Sequence, residues 1–173
     1  GASSTKLITR GEIEISSVPY YSLVGEKNDI AFVRLTQFTQ GCAKQVKQAC
    51  DSLYRAQPAL KGLVLDLRNN PGGLLNEAVD LCNLFIDKGQ LVVSTKGKIP
   101  DMDEDYKTNG TAWNKELPLA VLVNHSSASA SEIVAGTMQD LDRGVVIGER
   151  SYGKDLMKKT RSLGFNSLLK LTI

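Results

Sequence analysis

Three short apolar runs set the frame of the chain: Asp29-Ile30-Ala31-Phe32-Val33-Arg34-Leu35, Leu63-Val64-Leu65-Asp66-Leu67 and Leu119-Ala120-Val121-Leu122-Val123. Each has the length of a strand, and Leu63–Leu67 is too apolar for a surface edge, which predicts a central position. From Gln40 to Gln57, Ala43, Val46, Ala49, Cys50, Leu53 and Tyr54 recur at helical spacing, and Pro58 ends the helix. A second helix is predicted from Leu75 to Asp87, and a third in Glu132-Ile133-Val134-Ala135-Gly136-Thr137-Met138. Leu91-Val92-Val93-Ser94 and Val145-Val146-Ile147-Gly148 read as further strands. Arg10-Gly11-Glu12-Ile13-Glu14-Ile15 alternates with period two until Ser16-Ser17-Val18-Pro19 breaks it. A hairpin is expected to turn at Gly164-Phe165-Asn166, with a last strand from Leu168 to Ile173. The polar segment from Pro100 to Glu116 holds the single tryptophan, Trp113, and reads as a solvated loop. Strands alternating with helices predict an α/β domain with crossover connections.

Composition narrows this picture without changing it. The 173 residues suit one domain, and 42% hydrophobic with 23% charged residues is ordinary for a globular protein. A net charge of +2 with no Lys/Arg block argues against a nucleic-acid partner. No apolar run approaches the roughly 20 residues of a membrane span, and no stretch has the order of a signal peptide. Gly1-Ala2-Ser3-Ser4-Thr5 reads as a cloning remnant, so an exported protein trimmed for expression fits that start. Cys42, Cys50 and Cys82 make no metal-ligand pattern, and Cys42 and Cys50 lie too far apart along one helix for a disulfide. Buried free thiols are expected, with no metal and no cofactor.

Candidate chemistry concentrates in three places. In Asn124-His125-Ser126-Ser127-Ala128-Ser129-Ala130-Ser131 a strand breaks into small hydroxylated residues and restarts as a helix. Free N–H groups at a helix N-terminus favour a nucleophilic oxygen and the oxyanion that its attack creates. A Ser-rich cap closing a buried strand is the plainer alternative. Asn69-Asn70-Pro71-Gly72-Gly73, after the central strand, allows positive φ and backbone N–H groups turned toward a bound group, or is an ordinary turn. Gly153-Lys154 supplies a lysine that acts as a general base only when neutral, or a surface lysine like others in the chain. His125 invites a Ser-His-Asp reading, but nothing holds it against Ser129, and no Gly-x-Ser-x-Gly occurs. A Ser-Lys dyad fits better.

Taken together, Val64–Gly73, Ser127–Ile133 and Gly148–Lys154 resemble, in order and spacing, the carboxyl-terminal processing (tail-specific) proteases, a serine peptidase family; the likeness runs from Tyr20 to Ile173. The resemblance implies a crotonase-like, or Clp-protease-like, α/β core of stacked β-β-α units. It implies Ser129 as nucleophile, Lys154 as general base, and an oxyanion hole pairing Ala130 N–H with Gly72 or Gly73. Glu132 and Asp140 match family positions for packing, capping or hydrogen bonding, and Arg68 is expected to order the oxyanion turn. The family carries Gly-Lys-Gly and a base-orienting glutamine four residues after the lysine, where this chain has Asp155 and Lys158. A like charge at Lys158 would favour a neutral Lys154; the Asp155 carboxylate would favour the charged amine and impair the base.

The resemblance also divides the chain, with residues 6–22 as the tail of a preceding PDZ-like domain or linker and 23–173 as a protease core truncated at both ends. It implies polypeptide substrates, no nucleic acid and no membrane insertion, and location in a bacterial periplasm or cell envelope. The expected activity is endopeptidase cleavage through an acyl-enzyme. A catalytically impaired, peptide- or ligand-binding member of the same fold is the alternative. A crotonase-type acyl-CoA enzyme fits poorly, because it needs no Ser-Lys pair.

Overall fold

A computed structural model describes residues 3–4, 6–7, 15–97, 103–154, 156, 158–164 and 167–172. The alternating stretch 10–15 and the residue Asp155 therefore fall wholly or largely outside the described residues. The elements in chain order are β1 (Tyr20–Val24), β2 (Ile30–Arg34), α1 (Cys42–Ala56), β3 (Gly62–Asp66), α2 (Leu75–Asn83), β4 (Leu91–Thr95), β5 (Glu104–Lys107), β6 (Leu119–Val123), α3 (Ala130–Asp140), β7 (Val145–Gly148), β8 (Lys158–Gly164) and β9 (Ser167–Thr172). The main sheet has the order β1-β2-β3-β6-β7, so β3 is central, as its apolar run predicts. β1 runs antiparallel to β2, and β2, β3, β6 and β7 are mutually parallel. The β4–β5 and β8–β9 pairs form two separate antiparallel ribbons.

Period-two alternation decides which side of this sheet is covered. Ala31, Val33, Leu63, Leu65, Leu119, Val121 and Val123 are buried and join Val46, Ala49, Leu81, Val134 and Met138 from the helices in one core. Cys42, Cys50 and Cys82 are free and buried there, and burial pushes each thiol up to about 12.

Two strands, β1 and β5, are not expected from the sequence. β1 crosses the division expected between residues 22 and 23, because Tyr20–Val24 pair with Arg34–Ile30. β5 lies inside the segment expected to be a solvated loop. Pairing with β4 makes it a strand, helped by Ser94 Oγ donating to Asp105 Oδ1 at 2.6 Å. Further along this segment, Trp113 donates its indole N–H to Asp51 at 2.7 Å and meets Tyr54 edge-on. The second helix ends at Asn83 rather than Asp87, where N–H groups of Leu84 and Phe85 turn to i−3 carbonyls and tighten the chain.

α1 begins at Gly41 without a side-chain cap of its own. Glu77 of α2 supplies one from 34 to 36 residues away, its carboxylate accepting Gly41 N–H at 2.6 Å and Ala43 N–H at 3.1 Å. An anion at a helix N-terminus is well placed against the dipole, and this one is buried. Glu77→Ala should cost about 2 kcal/mol, since hydrogen bonds to a charged group are lost and the donors stay covered. Urea unfolding at pH 7 checks this; an unchanged midpoint would contradict it.

Candidate active site

Because β3, β6 and β7 are adjacent and parallel, their C-terminal ends open on one edge of the sheet, where open α/β sheets bind ligands. Each end feeds one of the three motifs: β3 leads to Arg68–Gly73, β6 to Asn124–Ser129, and β7 to Glu149–Lys154. Sequence-distant segments are thereby brought together.

The four serines after β6 separate into distinct roles. Ser127 and Ser131 are fully buried. Ser127 Oγ donates to Leu67 O at 2.8 Å and Ser131 Oγ donates to Asn70 O at 3.0 Å, so both tie the serine turn to the turn after β3. Ser126 donates its backbone N–H to Asn124 Oδ1 at 3.2 Å. Ser129 is half-buried at the N-terminus of α3, with φ 56° and ψ −115°. That is a region in which glycine is at home and serine is strained, and such strain gathers at functional sites. Its neighbours Ala128 and Ala130 carry only methyl groups.

Against Ser129 lies the Pro-Gly-Gly turn. A Cβ added to Gly72 would sit 2.6 Å from Ala128 O, 2.8 Å from Ala130 N and 2.9 Å from Ser129 Cβ, so only glycine permits this approach. Gly73 packs as closely on the Phe38 carbonyl. Phe38 N–H donates to Gly72 O at 3.0 Å, and Leu74 N–H donates to Phe38 O at 2.9 Å. Gly72 N–H is taken by Asn70 Oδ1 at 2.9 Å. Among the described residues, neither Gly73 N–H nor Ala130 N–H has an acceptor. The structure therefore separates the two glycines, one amide occupied and one open.

Asn70 is fully buried and uses every group it has. Beyond Gly72, its Nδ2 donates to Leu35 O at 2.9 Å, and its carbonyl accepts both Ala128 N–H and Ser131 Oγ. Beside it, Asn69 and Asn124 exchange bonds at 2.9 Å and link the ends of β3 and β6. Sequence reasoning included these residues in the candidate motifs but gave none of them a role. The available signal was Asn before Pro-Gly, since an Asn oxygen readily accepts the N–H two residues on. Arg68, expected to order this turn, folds back onto Asp66 instead, donating at 2.8 and 2.9 Å. Burial alone would raise the Asp66 carboxyl, but those bonds and the Arg68 N–H hold it below the usual range.

The third motif is fastened by Glu132. Its carboxylate accepts Ser129 N–H at 2.7 Å, Ser151 Oγ at 2.7 Å, Lys154 N–H at 3.0 Å and Gly153 N–H. Tyr152 N–H also donates to Ser127 O at 3.0 Å. One carboxylate thus ties the backbone of Lys154 to that of Ser129. The Lys154 side chain is exposed. Lys158 opens β8 opposite Thr172, and its side chain, like Asp155, lies outside the described residues. His125 pairs with Glu149, with 3.0 Å between Nδ1 and Oε2, rather than with Ser129.

Burial would raise the Glu132 carboxyl, yet the bonds from Lys154, Ser151, Gly153 and Ser129 outweigh it and hold it below its ordinary value. A carboxyl depressed in the folded state stabilises fully above its unfolded value of ~4.3, and that contribution is lost as pH falls through the folded value. Glu132→Gln should therefore flatten the acid limb of thermal stability below about pH 4. Melting curves from pH 2 to 7 test this; an unchanged acid limb would count against it.

Among the described residues no His/Cys/Asp/Glu group is placed to hold a metal ion, and no helix is long and apolar enough to cross a membrane.

Comparison with known proteins shows which family the chain resembles. The model of peptidase family S41 matches residues 29–173. A probable CtpA-like serine protease of Staphylococcus haemolyticus is 40% identical over 168 residues, covering 95% of this chain and 32% of that protein. A carboxy-terminal-processing protease of Bartonella bacilliformis is 39% identical over 167 residues, covering 95% of this chain and 37% of the other. Among solved structures, the photosystem II D1 C-terminal processing protease superposes with a TM-score of 0.70 at 34% identity, over 83% of this chain and 36% of that one. The chain spans about a third of the length of the curated relatives it matches.

Proposed function

This chain belongs to peptidase family S41, and from that premise we propose that it carries the hydrolytic site of a carboxyl-terminal processing serine endopeptidase, with Ser129 as nucleophile and Lys154 as general base. One observation supports the reading above the others. Ser129 stands in a strained conformation at the start of α3, with Gly72 packed against its Cβ and against Ala130 N. Ser129 and Glu132 do form a capping box at this terminus, but an ordinary Ser cap takes extended φ and ψ and needs no such strain.

In the proposed reaction Ser129 Oγ attacks the carbonyl carbon of a peptide bond while its proton passes to the Lys154 amine. The oxyanion accepts hydrogen bonds from Ala130 N–H and, of the two candidate glycines, from Gly73 N–H, because Asn70 already occupies Gly72 N–H. The C–N bond then breaks, the leaving amine takes the proton from Lys154, and an ester to Ser129 remains. Water, giving its proton to Lys154, attacks the ester, and the acid product and Ser129 hydroxyl are regenerated. No metal or cofactor enters. Lys158 is proposed as a base-orienting position in place of the family's glutamine. The substrates proposed are polypeptides, and the place proposed is a bacterial periplasm or cell envelope, both from the family likeness.

The alternative, a peptide-binding member with an impaired base, draws on Asp155 and Lys158 in the sequence. Cleavage of casein by the chain and by Lys154→Ala separates the two. Lysine-dependent cleavage supports the endopeptidase, whereas binding of casein without cleavage by the unsubstituted chain supports the alternative.

A further inference from the structure

Resting on that Ser-Lys reading, we infer that Asn70 is the positioning residue of the oxyanion hole: its side chain captures the Gly72 amide and so leaves the Gly73 amide as the donor beside Ala130. Gly72 is held from both of its peptides, by Asn70 at its N–H and by Phe38 at its carbonyl. Asn70 Oδ1 takes Gly72 N–H at 2.9 Å, and Asn70 Nδ2 is itself anchored on Leu35 O at 2.9 Å, at the end of β2. Phe38 N–H takes Gly72 O at 3.0 Å. In a planar trans peptide the N–H points opposite to the C=O, so fixing Gly72 O on Phe38 turns Gly73 N–H away from Phe38. Gly72 has φ +92° and Gly73 φ +152°, conformations with several rotational alternatives for glycine, so the turn needs external bonds to hold one of them.

Asn70 also couples this peptide to the nucleophile. Its carbonyl accepts Ala128 N–H at 3.0 Å and Ser131 Oγ at 3.0 Å, on either side of Ser129. The donor at Gly73 and the donor at Ala130 are therefore referenced to the same buried residue. A preorganised hole keeps its donors in place before charge develops, and that is the source of its catalytic effect. Asn70 touches no reacting atom and acts through Gly72, Gly73 and Ala130.

The test uses the full 173-residue chain and two variants. Asn70→Leu keeps the side-chain size and removes both bonds; Asn70→Asp keeps an acceptor facing Gly72. Amide hydrogen exchange by NMR is read first, because it needs no activity. In the unsubstituted chain Gly72 N–H should exchange at least about 10-fold more slowly than Gly73 N–H, as a hydrogen-bonded amide against an open one. Asn70→Leu should abolish that difference, and Asn70→Asp should retain it. On a fluorogenic peptide, Asn70→Leu should lower kcat about 100-fold with KM changed less than about threefold, while Asn70→Asp stays within about 10-fold of the parent. A parallel loss in kcat and KM, a Gly73 amide as protected as Gly72, or full kcat in Asn70→Leu would overturn the inference. If Asn70→Leu does not fold, the parent and Asn70→Asp decide it: loss of Gly72 protection with full kcat in Asn70→Asp overturns it. Should the parent cleave nothing, the Ser-Lys reading fails, and the exchange comparison still decides what Asn70 does.

Discussion

Replacing Ser129 by alanine should lower peptide hydrolysis by roughly 10⁴- to 10⁶-fold, because no other group supplies the acyl-forming oxygen. Lys154→Ala should cost about as much, and the double variant little more, since two residues that act as one unit lose their effect together. Ser129→Gly carries a second expectation that a mere cap would not share. Glycine adopts φ 56° and ψ −115° without penalty, so relief of about 1–3 kcal/mol of strain should outweigh glycine's entropic cost of roughly 0.5–1 kcal/mol. The inactive glycine variant should thus be about 1 kcal/mol more stable than the parent, a trade of stability for activity held in one residue. Denaturant unfolding with matched activity assays gives both numbers. A glycine variant less stable than the parent would mean that Ser129 serves the fold rather than the chemistry.

Gly72→Ala should be the most damaging change that removes no polar atom. The added methyl would lie 2.6 Å from Ala128 O and 2.8 Å from Ala130 N, at φ +92°. Both contacts are backbone, so no flexible side chain can yield. Left-handed strain costs roughly 1–2 kcal/mol and overpacking another 1–3, giving about 2–5 kcal/mol in all. Any relief must push the Pro-Gly-Gly turn away from Ser129 and Ala130, so the folded fraction should also lose about 100-fold or more in turnover. Thermal melts and kcat on the same preparation separate the two losses. Near-parental turnover would show that the turn and Ser129 need not touch.

The sequence disclosed those elements whose reason for forming is local. Leu63–Leu67 reads as a central strand because Leu63, Leu65 and Leu67 sit on the covered side, and it is central. The α1 spacing of Val46, Ala49, Cys50 and Leu53 likewise matches its buried side. β5 stayed hidden because Glu-Asp-Tyr-Lys has no apolar alternation and is made a strand by its partner β4. β1 stayed hidden behind Pro19 and two exposed tyrosines, paired along only one edge.

At the site, the serine run before α3 stood out in the sequence, and the family resemblance singled out Ser129 within it. What the sequence did not disclose is how the motifs are fastened. Glu132 gathers Ser129, Ser151, Gly153 and Lys154. Asn70 gathers Leu35, Gly72, Ala128 and Ser131. Polar hubs of this kind leave no periodic trace, because their partners lie up to 61 residues away and share no face or spacing. Their burial is tolerable only because nearly every polar group is paired, and that pairing fixes the geometry as well as the fold.

Everything proposed for the site depends on Ser129 being a nucleophile activated by Lys154. The most direct measurement is covalent labelling with a fluorophosphonate, followed by mass mapping of the modified peptide, for the parent, Ser129→Ala and Lys154→Ala. A single adduct on Ser129 is expected in the parent, none in Ser129→Ala, and labelling slowed by about 100-fold or more in Lys154→Ala. An adduct on another serine, or equal labelling rates with and without Lys154, would contradict it.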